Sequence, residues 1–94
     1  MIHGFGGDCD NWLFNLDALA ADGRVYALDL PGHGQSTKAV QDGSVDALAR
    51  TVVGFMDAVG IDAAHLVGHS LGGAIALAVA LAVTARVQAL SLLA

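Results

Sequence analysis

GHSLGG occupies residues 68–73, and its reading decides the fold. Gly68-His69-Ser70-Leu71-Gly72 fits G-x-S-x-G, a sharp strand-to-helix turn that lifts one serine into a strained, exposed position. Glycines two residues to either side of Ser70 keep the surrounding backbone clear of clashes. The helix that follows aims its first amides at the serine, which makes the Leu71 N–H a candidate donor to a developing oxyanion. The flanking residues suit such a turn. His65-Leu66-Val67 reads as a short strand before it, and residues 71–83 as an Ala-rich helix after it, expected to be buried nearly all round. A βα turn with no chemistry would carry the same letters, so the rest of the chain must arbitrate.

Working outward, Met1-Ile2 reads as the end of a strand broken by His3-Gly4-Phe5-Gly6-Gly7. Glycines there let backbone approach a substrate closely, with the Phe5 N–H as a second oxyanion donor. Asp10 is expected to cap a first helix carrying Trp12, Leu13, Leu16 and Leu19 on one face, with Gly23 at its end. Residues 24–28 read as a strand, ended by the turn residues Asp29-Leu30-Pro31-Gly32-His33-Gly34. That segment is expected to be mainly a tight turn; Asp29 and His33 are weak candidates for an acid or base. Ser44 and Asp46 suit the start of a second helix. Its stripe is Val45, Leu48, Val52, Phe55 and Val59, with Gly60 closing it. Residues 86–93 read as a last strand. This alternation predicts an α/β fold with a mostly parallel sheet of about four strands and three helices.

Composition removes several functions. The chain has 94 residues, enough for one domain, and is 55% hydrophobic with a mean hydropathy of +0.63, as buried parallel strands and core helices require. A net charge of −5 gives nucleic acid or an anionic membrane surface nothing to bind. Residues 63–85 carry no formal charge, but His65, His69, Ser70 and three glycines break the segment, so no membrane span is expected. The opening residues lack the basic and apolar regions of a signal peptide. Cys9 is the one cysteine, which excludes an internal disulfide and suits a cytoplasmic protein. His65 and His69 stand four apart, but on a strand that is about 13 Å, so no metal site is expected. Neither a P-loop nor a dinucleotide fingerprint is present, and no cofactor is called for.

HGFGG, DLPGHGQS and GHSLGG, in that order and spacing, resemble the N-terminal half of the α/β-hydrolase fold across nearly the whole chain. The stretch HGFGGDCDNWLFNLDALAADGRVYALDLPGHG is most similar to one branch: the α/β-hydrolase-type acetyltransferase (E2) components of acetoin dehydrogenase systems. The resemblance implies Ser70 as nucleophile and the Phe5 and Leu71 amides as the oxyanion hole. It implies His3 as a structural histidine beside that hole, with Gly4, Gly68 and Gly72 in support and His69 as an elbow residue rather than the base. It also implies a sheet order with residues 24–28 outermost, then 1–2, then 65–67, then 87–93. A small acyl or ester substrate follows, with components of a 2-oxo acid or acetoin dehydrogenase complex as partners.

In that family the acid and base follow the nucleophile in sequence. No Asp, Glu or His follows Ser70, so neither partner is in this chain. The expectation is a single incomplete domain over residues 1–94, cut at both ends, with its oxyanion turn at 3–7 and elbow at 68–72. The His-x-x-x-Asp-Gly signature of the usual lipoyl-dependent acyltransferases is missing, so a lipoyl acyl carrier enters only with the acetyltransferase reading. The alternatives are a non-catalytic ligand-binding protein of the same fold, or an inactive fragment.

Overall fold

Ser44 starts the longest helix as its sequence predicts. In the computed structural model, which describes residues 1–12, 15, 18, 19, 23–33, 36 and 43–93, Ser44 has an extended backbone and its side chain accepts the Ala47 N–H at 3.2 Å. Helix α1 then runs Val45–Ala58. It ends in a Schellman motif. Gly60, at φ +76°, donates to Asp57 O, and Ile61 N–H reaches back to Met56 O at 2.8 Å. The buried face is Leu48, Ala49, Val52 and Met56, rotated from the expected stripe. Phe55 is only half-buried, edge-on to Tyr26, and Val59 is exposed at the C-cap.

Among the described residues, the elements that follow α1 form one β-α-β unit. Strand β1 (Ala64–His69) leads through Ser70 into helix α2 (Leu71–Ala82), and a 3-10 turn, Thr84–Arg86, leads into strand β2 (Val87–Leu93). The strands pair in parallel, with Leu66 opposite Leu90 and Gly68 opposite Leu92. On the other side of β1, Ile2 bridges both Gly68 and Leu28 in parallel. The order Leu28, Ile2, β1, β2 is the one the resemblance implies. Two of the expected strands are much reduced: residues 24–28 contribute a single bridge at Leu28, and Met1-Ile2 a single bridging residue.

The core lies where both helices meet the sheet. Ile2, Leu30, Leu66, Ile75, Ala76 and Val79 pack with Leu48, Ala49 and Val52. Helix α2 is not buried all round, contrary to expectation. Gly72, Ile75, Ala76 and Val79 face inward, while Leu77 is 44% and Leu81 77% exposed. A uniformly apolar helix carries no polar stripe to mark its outer face, so its sequence conceals which side packs.

Asp10 does not cap a helix either. It lies inside the 3-10 turn Cys9–Trp12, and the Asp8 carboxylate accepts the Asp10 N–H at 2.9 Å. An aspartate that bonds the backbone two residues on starts a turn at its own position, which moves the start to Asp8. Asn15, Ala18 and Leu19 are helical; Leu13 and Leu16 of the expected first helix lie outside the described residues.

Candidate active site

Ser70 has φ 54° and ψ −115°, and among the described residues no other non-glycine has a positive φ. Such a conformation costs on the order of 1–3 kcal/mol and persists only where the surroundings impose it. Here they do. Ser70 N–H donates to Leu93 O at 2.8 Å, and Ser70 O accepts from Gly73 and Ala74 at 2.9 and 3.2 Å. The backbone is thus pinned on both sides while the residue itself stays exposed.

The hydroxyl is left out of this network. Ser70 is the N-cap residue of α2, yet its side chain makes no capping hydrogen bond. The chain's other serines are all engaged: Ser36 donates to Asp29 O, Ser44 caps α1, and Ser91 Oγ lies 2.8 Å from His65 Nε2. Among the serines, Ser70 alone presents an exposed hydroxyl with no partner among the described residues.

The elbow glycines allow close packing. A Cβ on Gly72 would overlap Ile2 O and come within 2.6 Å of Ile2 C and 2.7 Å of His3 O. One on Gly68 would come within 2.5 Å of Gly72 C and 2.6 Å of Gly73 N. The first turn of α2 therefore lies directly against the backbone that leads into residues 3–7. Gly4 completes the approach, since a Cβ there would stand 3.3 Å from Ser70 Cβ and 3.4 Å from His69 Nδ1. Two motifs 66 positions apart, Gly4 and Ser70, meet in one place. The Phe5 and Leu71 N–H groups make no hydrogen bond to any described residue, so both remain available as donors.

His3 is fully buried and held at both ring nitrogens. Its Nδ1–H donates to Gly4 O at 2.8 Å and its Nε2 accepts the Leu30 N–H at 2.9 Å. A histidine with both nitrogens committed to backbone braces the turn and has no lone pair left for a substrate proton. His69 is exposed, and its N–H donates to Ile2 O at 3.0 Å. His65 belongs to a different part of the sheet, and among the described residues no three potential ligands converge on a metal position.

The sequence marks Asp29 and His33 as turn residues but does not say what their side chains meet. Asp29 Oδ1 accepts the Cys9 N–H at 2.7 Å and His33 Nε2 accepts the Gly6 N–H at 3.0 Å. Aspartate and histidine within a turn signal could have suggested a reach to a second loop, but nothing local says which one. Asp29 also affects the Cys9 thiol. A hydrogen bond to the Asp29 carboxylate, then burial and the charges of Asp29, Asp10 and Asp8, raise its thiol above the ordinary value. The thiolate is the reactive form. Iodoacetamide at pH 8 should therefore modify Cys9 more slowly in the folded chain than in the urea-unfolded one, read by intact mass. Equal rates would contradict the Asp29 contact.

The sequence pattern of the alpha/beta hydrolase fold matches residues 1–94. The chain belongs to the α/β-hydrolase family. Among α/β-hydrolases, it is 57% identical over its whole length to the "Dihydrolipoyllysine-residue acetyltransferase component of acetoin cleaving system" of Pseudomonas putida. It is 53% identical, over 99% of the chain, to the protein of the same name from Cupriavidus necator. In each case it covers 25% of the relative, so the chain spans a quarter of the length of these curated relatives. A solved structure, "Marine microorganism esterase", superposes with a TM-score of 0.93 at 28% identity, over 97% of this chain and 34% of that one. No helix among the described residues is long and apolar enough to cross a membrane.

Proposed function

We propose that Ser70 is the nucleophile of an acyl-transfer enzyme and that the Phe5 and Leu71 amides form its oxyanion hole. The observation that carries this reading is the exposed, uncapped Ser70 hydroxyl on a strained backbone at the start of α2. A residue spends folding energy on such a conformation where exposure of its side chain serves a purpose.

In this reading, Ser70 Oγ attacks the carbonyl carbon of a small ester or thioester and its proton passes to a base. The carbonyl oxygen takes up negative charge against the Phe5 and Leu71 N–H groups. The alcohol or thiol then leaves, and the acyl group remains on Oγ until water or another thiol accepts it. In this reading the base and its orienting carboxylate are not among these 94 residues: α/β-hydrolases take both from positions after the nucleophile, no histidine or acid follows Ser70, and His3 is committed to backbone. His3 braces the turn, with Gly4, Gly68 and Gly72 allowing the approach.

The names of the Pseudomonas and Cupriavidus relatives favour a thiol acceptor within an acetoin system; the esterase structure favours water. A lipoyl group would then act as the acyl carrier, that is, as a substrate. The lone cysteine fits a cytoplasmic setting. The test compares turnover of p-nitrophenyl acetate and of acetyl-dihydrolipoamide by the complete gene product. Acetyl exchange onto dihydrolipoamide outpacing hydrolysis is the expected result for the acetoin assignment, whereas ester hydrolysis alone makes the protein a hydrolase. Turnover of neither overturns the proposal.

A further inference from the structure

The Phe5–Gly6 tip of the oxyanion turn has little of its own to hold it. Gly7 N–H donates to Gly4 O at 3.0 Å and Gly6 has φ +77°, the pattern of a type II turn over residues 4–7. Types I and II differ by a flip of the central peptide, here Phe5–Gly6. Phe5 is 86% exposed, and nothing lies within 4 Å of where a Gly6 Cβ would be, so packing does not decide between them.

A bond from the facing loop does. Gly6 N–H donates to His33 Nε2 at 3.0 Å, while His33 Nδ1–H donates to Pro31 O at 3.1 Å. The second bond places the ring proton on Nδ1 and leaves Nε2 as a bare lone pair. A lone pair there attracts the Gly6 N–H and repels the Phe5 carbonyl that a flipped peptide would present. The His33 ring also meets Phe5 edge-on at 5.7 Å and packs 5.0 Å from His3, so it touches the tip and the base of the turn together. The parallel bonds Leu30 N–H to His3 and Cys9 N–H to Asp29 fix the loop that carries His33.

We infer that His33 is a positioning residue: it anchors the Gly6 amide to the facing loop and so holds the tip of the oxyanion turn, and with it the Gly4–Phe5 peptide that carries the Phe5 N–H, in place. This deepens the proposed function and rests on the Phe5 N–H being an oxyanion donor. His33 touches no reacting atom; it acts through Gly6.

Two variants of the complete gene product separate the acceptor from the ring. His33→Phe keeps the aromatic contact and removes the lone pair, and His33→Gln returns an acceptor oxygen at similar reach. The readouts are the labelling rate of Ser70 by a fluorophosphonate probe, kcat and KM for p-nitrophenyl acetate, and hydrogen exchange at the Gly6 amide. His33→Phe should lower labelling and kcat roughly 10- to 100-fold with little change in KM, the scale expected when catalytic groups shift by about 1 Å. Its Gly6 amide should exchange fast, and His33→Gln should restore both the rate and the protection. Normal labelling in both variants overturns the inference alone, as do equal losses in both. Wild-type protein that the probe leaves unlabelled overturns the Ser70 reading and this inference with it. If His33→Phe unfolds early, the Gly6 amide of His33→Gln decides: protection supports the lock and fast exchange overturns it.

Discussion

Ser70→Ala is expected to lower ester turnover by the complete gene product about 10⁴- to 10⁶-fold, leaving KM nearly unchanged. On the proposed mechanism the effect falls on kcat, because the lost hydroxyl is the group that would attack the acyl carbon, while the surfaces that bind substrate are untouched. No other serine in the chain can substitute. Ser36, Ser44 and Ser91 are each bonded within the fold. The residual rate should still exceed that of water, since the Phe5 and Leu71 amides remain and a hole without its nucleophile retains part of its catalysis. Stability should hold or rise slightly, because the hydroxyl makes no capping bond to lose. Turnover of p-nitrophenyl acetate and a urea unfolding curve on the same preparation check both halves. Activity within tenfold of wild type would remove Ser70 from the mechanism.

What the sequence showed and what it hid follow from the range of the forces involved. The elbow was legible because its constraint is local: strand, glycine, serine, glycine and helix are contiguous, and the strained φ of Ser70 is a property of that run. The Ser44 cap was legible for the same reason, since a side chain meeting an amide three residues on needs no tertiary contact. The outer face of α2 was hidden because Leu77 and Leu81 look no different from Ile75 and Val79 as letters. Only the position of the sheet separates them. Residues 29–33 were read as a turn, which they are, but His33 and Asp29 act on Gly6 and Cys9, 27 and 20 positions away. A bond across that separation has no period and no local spacing to betray it. The paired use of His3 and His33, each taking one amide of the other's loop, is therefore a property of the fold alone.

The largest stability effect should come from Gly72→Ala, and its neighbour supplies the contrast. Both Gly72 and Gly73 lie in the first turn of α2, where alanine is favoured over glycine by about 1 kcal/mol on helix propensity alone. Propensity therefore predicts the same gain at both positions. Packing divides them. A Cβ on Gly73 would find Gly68 O at 3.5 Å and Leu92 Cδ2 at 3.7 Å, ordinary contacts, so Gly73→Ala should be neutral or stabilising by up to about 1 kcal/mol. A Cβ on Gly72 would overlap Ile2 O, and the atoms behind it, Ile2 C and His3 O, are also backbone. No side-chain rotamer can relieve that overlap. Either α2 moves off the sheet or residues 2–3 move away from α2, and Ile2 O is also the acceptor for His69 N–H. Losing that bond and the surrounding packing should cost about 3 kcal/mol or more, a large share of the roughly 5–15 kcal/mol a domain possesses. Any Gly72→Ala protein that remains folded should also be a poor enzyme, because the displaced backbone leads directly into His3, Gly4 and Phe5. Urea midpoints of the two variants, measured side by side, decide the matter. Equal midpoints would mean that α2 does not approach Ile2 this closely, and the proposed coupling of residues 3–7 to the elbow would lose its structural basis.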